Sequence, residues 1–169
     1  MRGLKFAAGL AVAVLLHFGG ASLWSGFFLI LDLFLVLTLF NALDGDLTAG
    51  MLGGLAAGLV TDALTGGLFG LHGFADTILG YGAAFASQRI AIQRATGVLL
   101  FFLLAATLQQ AITMSLNLLL TPAPTLPAYF NILAKVLLTG VAGLAVFAAR
   151  RRALRLGQVW RRNRRARLR

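Results

Sequence analysis

Apolar residues fill this chain in long blocks, with no solvated face at either helical or strand spacing. No Asp, Glu, Lys or Arg occurs over residues 6–31 or over residues 95–134. A helix or strand in water needs a polar face, which these stretches cannot supply. A helix in lipid needs none, because its backbone groups are bonded within the segment. The pattern divides into six apolar spans, at about 4–18, 27–41, 47–64, 71–87, 95–120 and 128–149, with ends good to a few residues. Gly19-Gly20 marks the end of the first. The fifth holds 26 residues. At about 1.5 Å per residue it exceeds a hydrocarbon core of roughly 30 Å and must tilt or protrude. Pro122, Pro124 and Pro127 all fall between spans five and six and predict a stiff, extended connection. The fold class is therefore all-α, an integral membrane bundle of about six transmembrane helices, with residues 1–149 in the bundle and 150–169 outside it.

Charge then orients the bundle. Arg2 and Lys5 precede span one, Arg89 and Arg94 separate spans four and five, and the arginine-rich segment follows span six. With six crossings these clusters share one side, and the loops on the other side contain no Lys or Arg, so the positive-inside rule puts both termini in the cytoplasm. The N-terminal basic residues, apolar run and Gly19-Gly20-Ala21 also fit a cleaved signal peptide. A retained first helix is the expectation, and N-terminal mass measurement separates the two.

Composition adds that this is a membrane chain: hydrophobic residues make up 59%, charged residues 12%, and mean hydropathy is +0.88. The net charge of +10 is local, since 15 basic residues face 5 acidic ones and ten of the basic ones lie at 150–169. That tail, with Arg150, Arg151, Arg152, Arg155, Arg161, Arg162 and Trp160, suits anionic lipid headgroups, at about 1 kcal/mol per charge near the surface. Its place beside a membrane favours lipid over nucleic acid, and no nucleic acid is expected. There is no Cys, which excludes disulfides, zinc–thiolate sites and thiol nucleophiles. A separate soluble enzyme domain has no room.

Residues 50–87 are the most informative stretch. Gly50, Gly54 and Gly58 recur every fourth residue and Asp62 continues the row, so one helix face carries a tandem small-residue stripe ending in a carboxylate. Span four answers with Gly73, Asp76, Gly80, Ala84 and Ser87. Between them, Thr65-Gly66-Gly67-Leu68-Phe69-Gly70 reads as a flexible outer turn. The prediction is a tightly packed helical hairpin, serving either close packing within the bundle or a groove for a partner. Asp62 and Asp76 are expected to face each other across it, sharing a proton or pairing with Lys135. A single acid pair lacks the chain of groups that a proton pump needs, so a helix-fixing contact is the preferred reading. Asp32 falls near the middle of span two, so either that span is placed differently or Asp32 meets a partner. Asp44 and Asp46 read as an inner turn with too few oxygens for calcium. His17 and His72 lack a metal-ligand spacing and read as helix-end polar residues. Gln109, Gln110 and Asn117 are candidate interhelical hydrogen-bond donors. No nucleophile–base set, phosphate loop or paired Glu is present, so no enzyme and no cofactor is expected.

The segment Gly58-Leu59-Val60-Thr61-Asp62-Ala63-Leu64-Thr65-Gly66, followed by Phe69-Gly70-Leu71 and Gly80-Tyr81, resembles the hallmark region of the MreD family, rod shape-determining membrane proteins of bacteria. The layout, size and basic C-terminus extend the resemblance over the whole chain. The Gly66-Gly67 turn, Asp76 and the heavy arginine tail depart from the family pattern. The resemblance implies a non-enzymatic scaffold in the bacterial inner membrane. Its implied partner is an MreC-like protein, and it would act with MreB, RodA and a class B penicillin-binding protein in peptidoglycan synthesis. The family is similar in architecture to substrate-binding subunits of energy-coupling-factor vitamin transporters, which supplies the alternative function. Ala7 and Ala11 form the small-residue pair such subunits use for docking. That alternative requires a polar, ligand-sized outer cavity, for which the polar residues look too sparse.

Overall fold

In a computed structural model, residues 2–23, 31–89, 94–122 and 128–166 are described, with residues 2, 21–23 and 154–166 described by their backbone alone. The described residues form six helices: α1 (Arg2–Leu23), α2 (Leu33–Ala42), α3 (Leu47–Thr65), α4 (Leu71–Arg89), α5 (Ala95–Leu120) and α6 (Tyr129–Ala166). Four of them, α1, α3, α5 and α6, are long and apolar enough to cross a membrane.

Three boundaries differ from the sequence expectation for physical reasons. α1 runs through Gly19 and Gly20 to Leu23, because glycine in a helix interior costs only about 1 kcal/mol and does not by itself end the helix. α2 has 10 residues, about 15 Å, half of a hydrocarbon core. Asp32 is not in its middle; it is the N-cap, its carboxylate accepting from Leu35 N–H at 2.9 Å. α6 has 38 residues and its backbone continues through the arginine segment as helix. Arg155, Arg161, Arg162 and Trp160 lie where only the backbone is described, and Ser25, Gly26, Pro124 and Pro127 lie outside the described residues.

The basic clusters gather at one end of the bundle. Asp46 caps α3 through Ala49 N–H, and Gly45 adopts the left-handed conformation (φ 76°) that lets the α2–α3 turn close. The end of α4 is tied to this turn, with Ser87 Oγ donating to the Ala42 carbonyl (3.1 Å) and Gln88 Nε2 to the Gly45 carbonyl (2.7 Å). Arg150 reaches Asp44 at 3.5 Å, an exposed pair that contributes little. Arg151 and Arg152 are exposed beside it. α1 runs antiparallel to α2, with Phe6 near Gly53 and Asn41, Gly9 against Leu37, and His17 against Phe34.

The core forms where α2, α4 and α5 meet, around Leu35, Leu39, Leu79, Val98 and Phe102. Phe102 packs against Phe40 with the rings tilted by 44° and their centroids 5.2 Å apart. α6 closes on α5 because Gly140 and Gly143 leave room for Leu103 and Phe102. α3 packs on α2 and α4, α6 on α5 and α2, and a gap remains between α3 and α6 at the end away from the arginines.

Candidate functional site

Among the described residues, α3 and α4 form the most extensively packed helix pair. A Cβ on Gly50 would lie 2.5 Å from the Gly80 carbonyl oxygen; one on Gly54 would overlap the Asp76 carbonyl, and one on Gly58 the His72 carbonyl. The obstacles are backbone atoms, which cannot swing aside, so glycine is required at all three positions. Gly73 approaches Leu59, and Gly80 returns the contact with Gly50. Tyr81 departs from the rest: it is 47% exposed on the outer face of α4 and takes no part in this packing.

Asp62 ends the glycine row and organises the hairpin turn. α3 stops at Gly66 in the left-handed conformation (φ 66°), and α4 starts at Leu71 with its first N–H groups lacking helical partners. The Asp62 carboxylate, 2% exposed, accepts from Gly70 N–H (2.9 Å), His72 N–H (3.0 Å) and Gly73 N–H (3.1 Å). His72 Nδ1 adds a 2.8 Å contact to Oδ1. A buried anion against a helix N-terminus is favoured by the orphan donors and by the helix dipole. The turn expected to be flexible is thus pinned from within.

The three buried aspartates do not pair as the sequence suggested. Asp62 takes α4's N-terminus and His72. Asp76, fully buried, accepts from Gln109 Nε2 at 2.7 Å and so joins α4 to α5. Its Oδ2 has no hydrogen-bond partner among the described residues. Lys135 pairs with Asp32, at 3.2 Å, and donates to Gln110 Oε1 at 3.4 Å. Asp32 also donates its backbone N–H to Thr139 Oγ1 (3.2 Å), which fixes α2 to α6. The physical reason is rotation: Asp76 puts its backbone against Gly54, so its side chain is turned toward α5. His17 is likewise not a helix-end residue; it lies in the body of α1 and packs on Phe34 with centroids 5.6 Å apart.

Asp32→Ala should cost about 2 kcal/mol. Lys135, whose side chain is 14% exposed, can turn toward water, which spares it the full penalty of an isolated buried charge. Urea or SDS unfolding of the detergent-solubilised protein measures it. A simultaneous Asp32→Asn and Lys135→Gln exchange, which keeps a hydrogen bond without charges, should recover most of the loss.

Beyond the hairpin, a cavity of about 550 Å³ occupies the gap between α3 and α6 at the end opposite the arginines. Asp62, His72, Gln110 and Lys135 line it, together with Thr113, Asn117 and Asn131. Leu64, Thr65, Gly67, Leu68, Leu71, Met114 and Ile132 complete its walls. The expectation that polar residues are too sparse for a ligand-sized cavity is overturned here, because a few residues from four helices converge on one place. Thr113 and Asn131 were missed as lining residues. Their signal was present in helical spacing: Gln110, Thr113 and Asn117 share a face of α5, and Asn131 precedes Lys135 by one turn. Among the described residues no three His, Asp or Glu side chains converge as metal ligands.

Residues 5–146 match the family model described as rod shape-determining protein MreD. No curated protein and no solved structure matches the chain.

Proposed function

From the premise that this chain belongs to the rod shape-determining protein MreD family, we propose that it is a scaffold of the peptidoglycan elongation machinery that partners an MreC-like protein and performs no chemistry itself. The match over residues 5–146 carries this reading. RodA and a class B penicillin-binding protein are the further partners it implies. The location proposed is the bacterial inner membrane with both termini cytoplasmic, since Arg2, Lys5, Arg89, Arg94 and Arg150 gather at one end of the bundle. Arg150, Arg151 and Arg152 would then meet anionic headgroups of the inner leaflet. The α3–α4 hairpin supplies the rigid body, and its outer face, bearing Phe74, Ile78, Tyr81 and Phe85, is available to a partner helix.

Tagged protein purified from the membranes of its own rod-shaped host should bring down the MreC-like protein, and depletion should round the cells. Normal shape after depletion would remove the proposal. The 550 Å³ cavity favours a second reading, a substrate-binding subunit of an energy-coupling-factor-type vitamin transporter. A strong thermal shift with one vitamin and none with its relatives would put that reading first.

A further inference from the structure

The polar lining of the outer cavity holds several uncommitted hydrogen-bond donors, beside the Asp62 carboxylate and the Thr65 and Thr113 hydroxyls, whose protons go to the Thr61 and Gln109 carbonyls. Asp62 is already saturated by three N–H groups and His72. Lys135 has three N–H donors and no acceptor. It donates to Gln110 Oε1 and lies 3.2 Å from Asp32 Oδ2 as an ion pair, which leaves donor capacity for a further acceptor. Because Lys135 can only donate, Gln110 must present its oxygen there, which leaves its NH2 group without a partner among the described residues. Asn117 spends its oxygen on Thr121 Oγ1 at 2.7 Å, so its NH2 group is spare as well. The Asn131 amide forms no side-chain hydrogen bond among the described residues.

One ammonium and three amides thus converge from α5 and α6, backed by Leu64, Leu68 and Ile132. These donors come from separate helices and do not form the planar fork that suits a carboxylate. A tetrahedral anion accepts from several directions and takes Lys as a point charge. Depth agrees: Lys135 is six residues into α6, about 9 Å from its start, within reach of the headgroup layer.

We propose that this cavity binds a phosphate group, held by Lys135, Gln110, Asn117 and Asn131, with an apolar body against the leucine wall. The source is either an anionic lipid headgroup entering from the membrane or a free phosphate compound. This goes beyond the scaffold reading and does not depend on it.

The chain has no cysteine, so Ile132→Cys creates a unique reporter in the cavity wall. The full-length protein is placed in phosphatidylcholine nanodiscs and alkylation by a soluble maleimide is timed. Adding phosphatidylglycerol to the discs should slow alkylation about tenfold once the site is nine-tenths filled, if the source is lipid. Millimolar inorganic phosphate should do so instead if the source is soluble. The arginine segment lies at the opposite end and does not affect this reporter. Protection should disappear when Asp32→Asn and Lys135→Gln are added, a neutral pair that keeps the bundle folded. An unchanged rate with both anions, or protection that survives the neutral pair, overturns the proposal. Slowing by phosphatidylglycerol that an equal addition of phosphate-free diacylglycerol reproduces also overturns it, since the cavity would then take acyl chains whatever the headgroup.

Discussion

Gly54→Ala should destabilise the bundle by about 3 kcal/mol, the upper part of the range for overpacking a close contact. The added methyl group would occupy the position of the Asp76 carbonyl, a backbone atom inside α4. α3 and α4 would have to separate along their length, and the Gly50–Gly80 and Gly58–His72 approaches would loosen with them. Gly82→Ala is the matched control: it sits on the same helix pair with open space around its Cα, and should stay within about 0.5 kcal/mol. SDS-induced unfolding followed by circular dichroism compares the two. Equal stability of Gly54→Ala and the parent would show that the helices do not meet there. If the hairpin is also the body that partners the MreC-like protein, Gly54→Leu or Gly58→Leu should abolish copurification, whereas Gly82→Ala preserves it.

Asp62→Ala is expected to cost about 4 kcal/mol, because each buried donor left without a partner costs about 1–3 kcal/mol and Asp62 satisfies several at once. Gly70, His72 and Gly73 would lose the acceptor that closes the turn and caps α4. Asp62→Asn retains one acceptor oxygen and should fall between the two. His72→Ala removes a single member of the set and should cost about 1 kcal/mol. If Asp62→Ala and His72→Ala were equally damaging, the His72 contact would be the main function of Asp62, and the capping account would fail. The same measurement bears on proton transfer. A carboxylate that accepts three backbone N–H bonds is built into the turn, and its role here is to hold α4's first residues in place.

Several of these features were legible before the structure. The row Gly50, Gly54, Gly58 and Asp62 has a spacing that can face only one way, and a second row in span four fixed the partner. Gln109 as an interhelical donor was also readable, since an amide inside an apolar helix must find a partner. Other features depended on the third dimension. For Asp32 the sequence left open a different placement of span two or a partner, and the structure shows both: Asp32 is the N-cap of α2 and pairs with Lys135. Lys135 was assigned to the hairpin aspartates, yet its depth on α6 matches Asp32 and Gln110. The cavity had no single motif, as its lining is spread over α3, α4, α5 and α6 at one or two residues per turn.

The sequence by itself determined the solvent, the helical class and the hairpin. Stretches without charge can be stable only in lipid, lipid admits backbone only when its hydrogen bonds are closed, and glycines four apart mark a face for close approach. Tertiary structure alone decided which acid meets which base and that the polar residues of four helices line one cavity. Those outcomes depend on how far each helix is rotated and how deep it sits. Packing against neighbours sets both, and packing is a property of the assembled bundle rather than of any one helix.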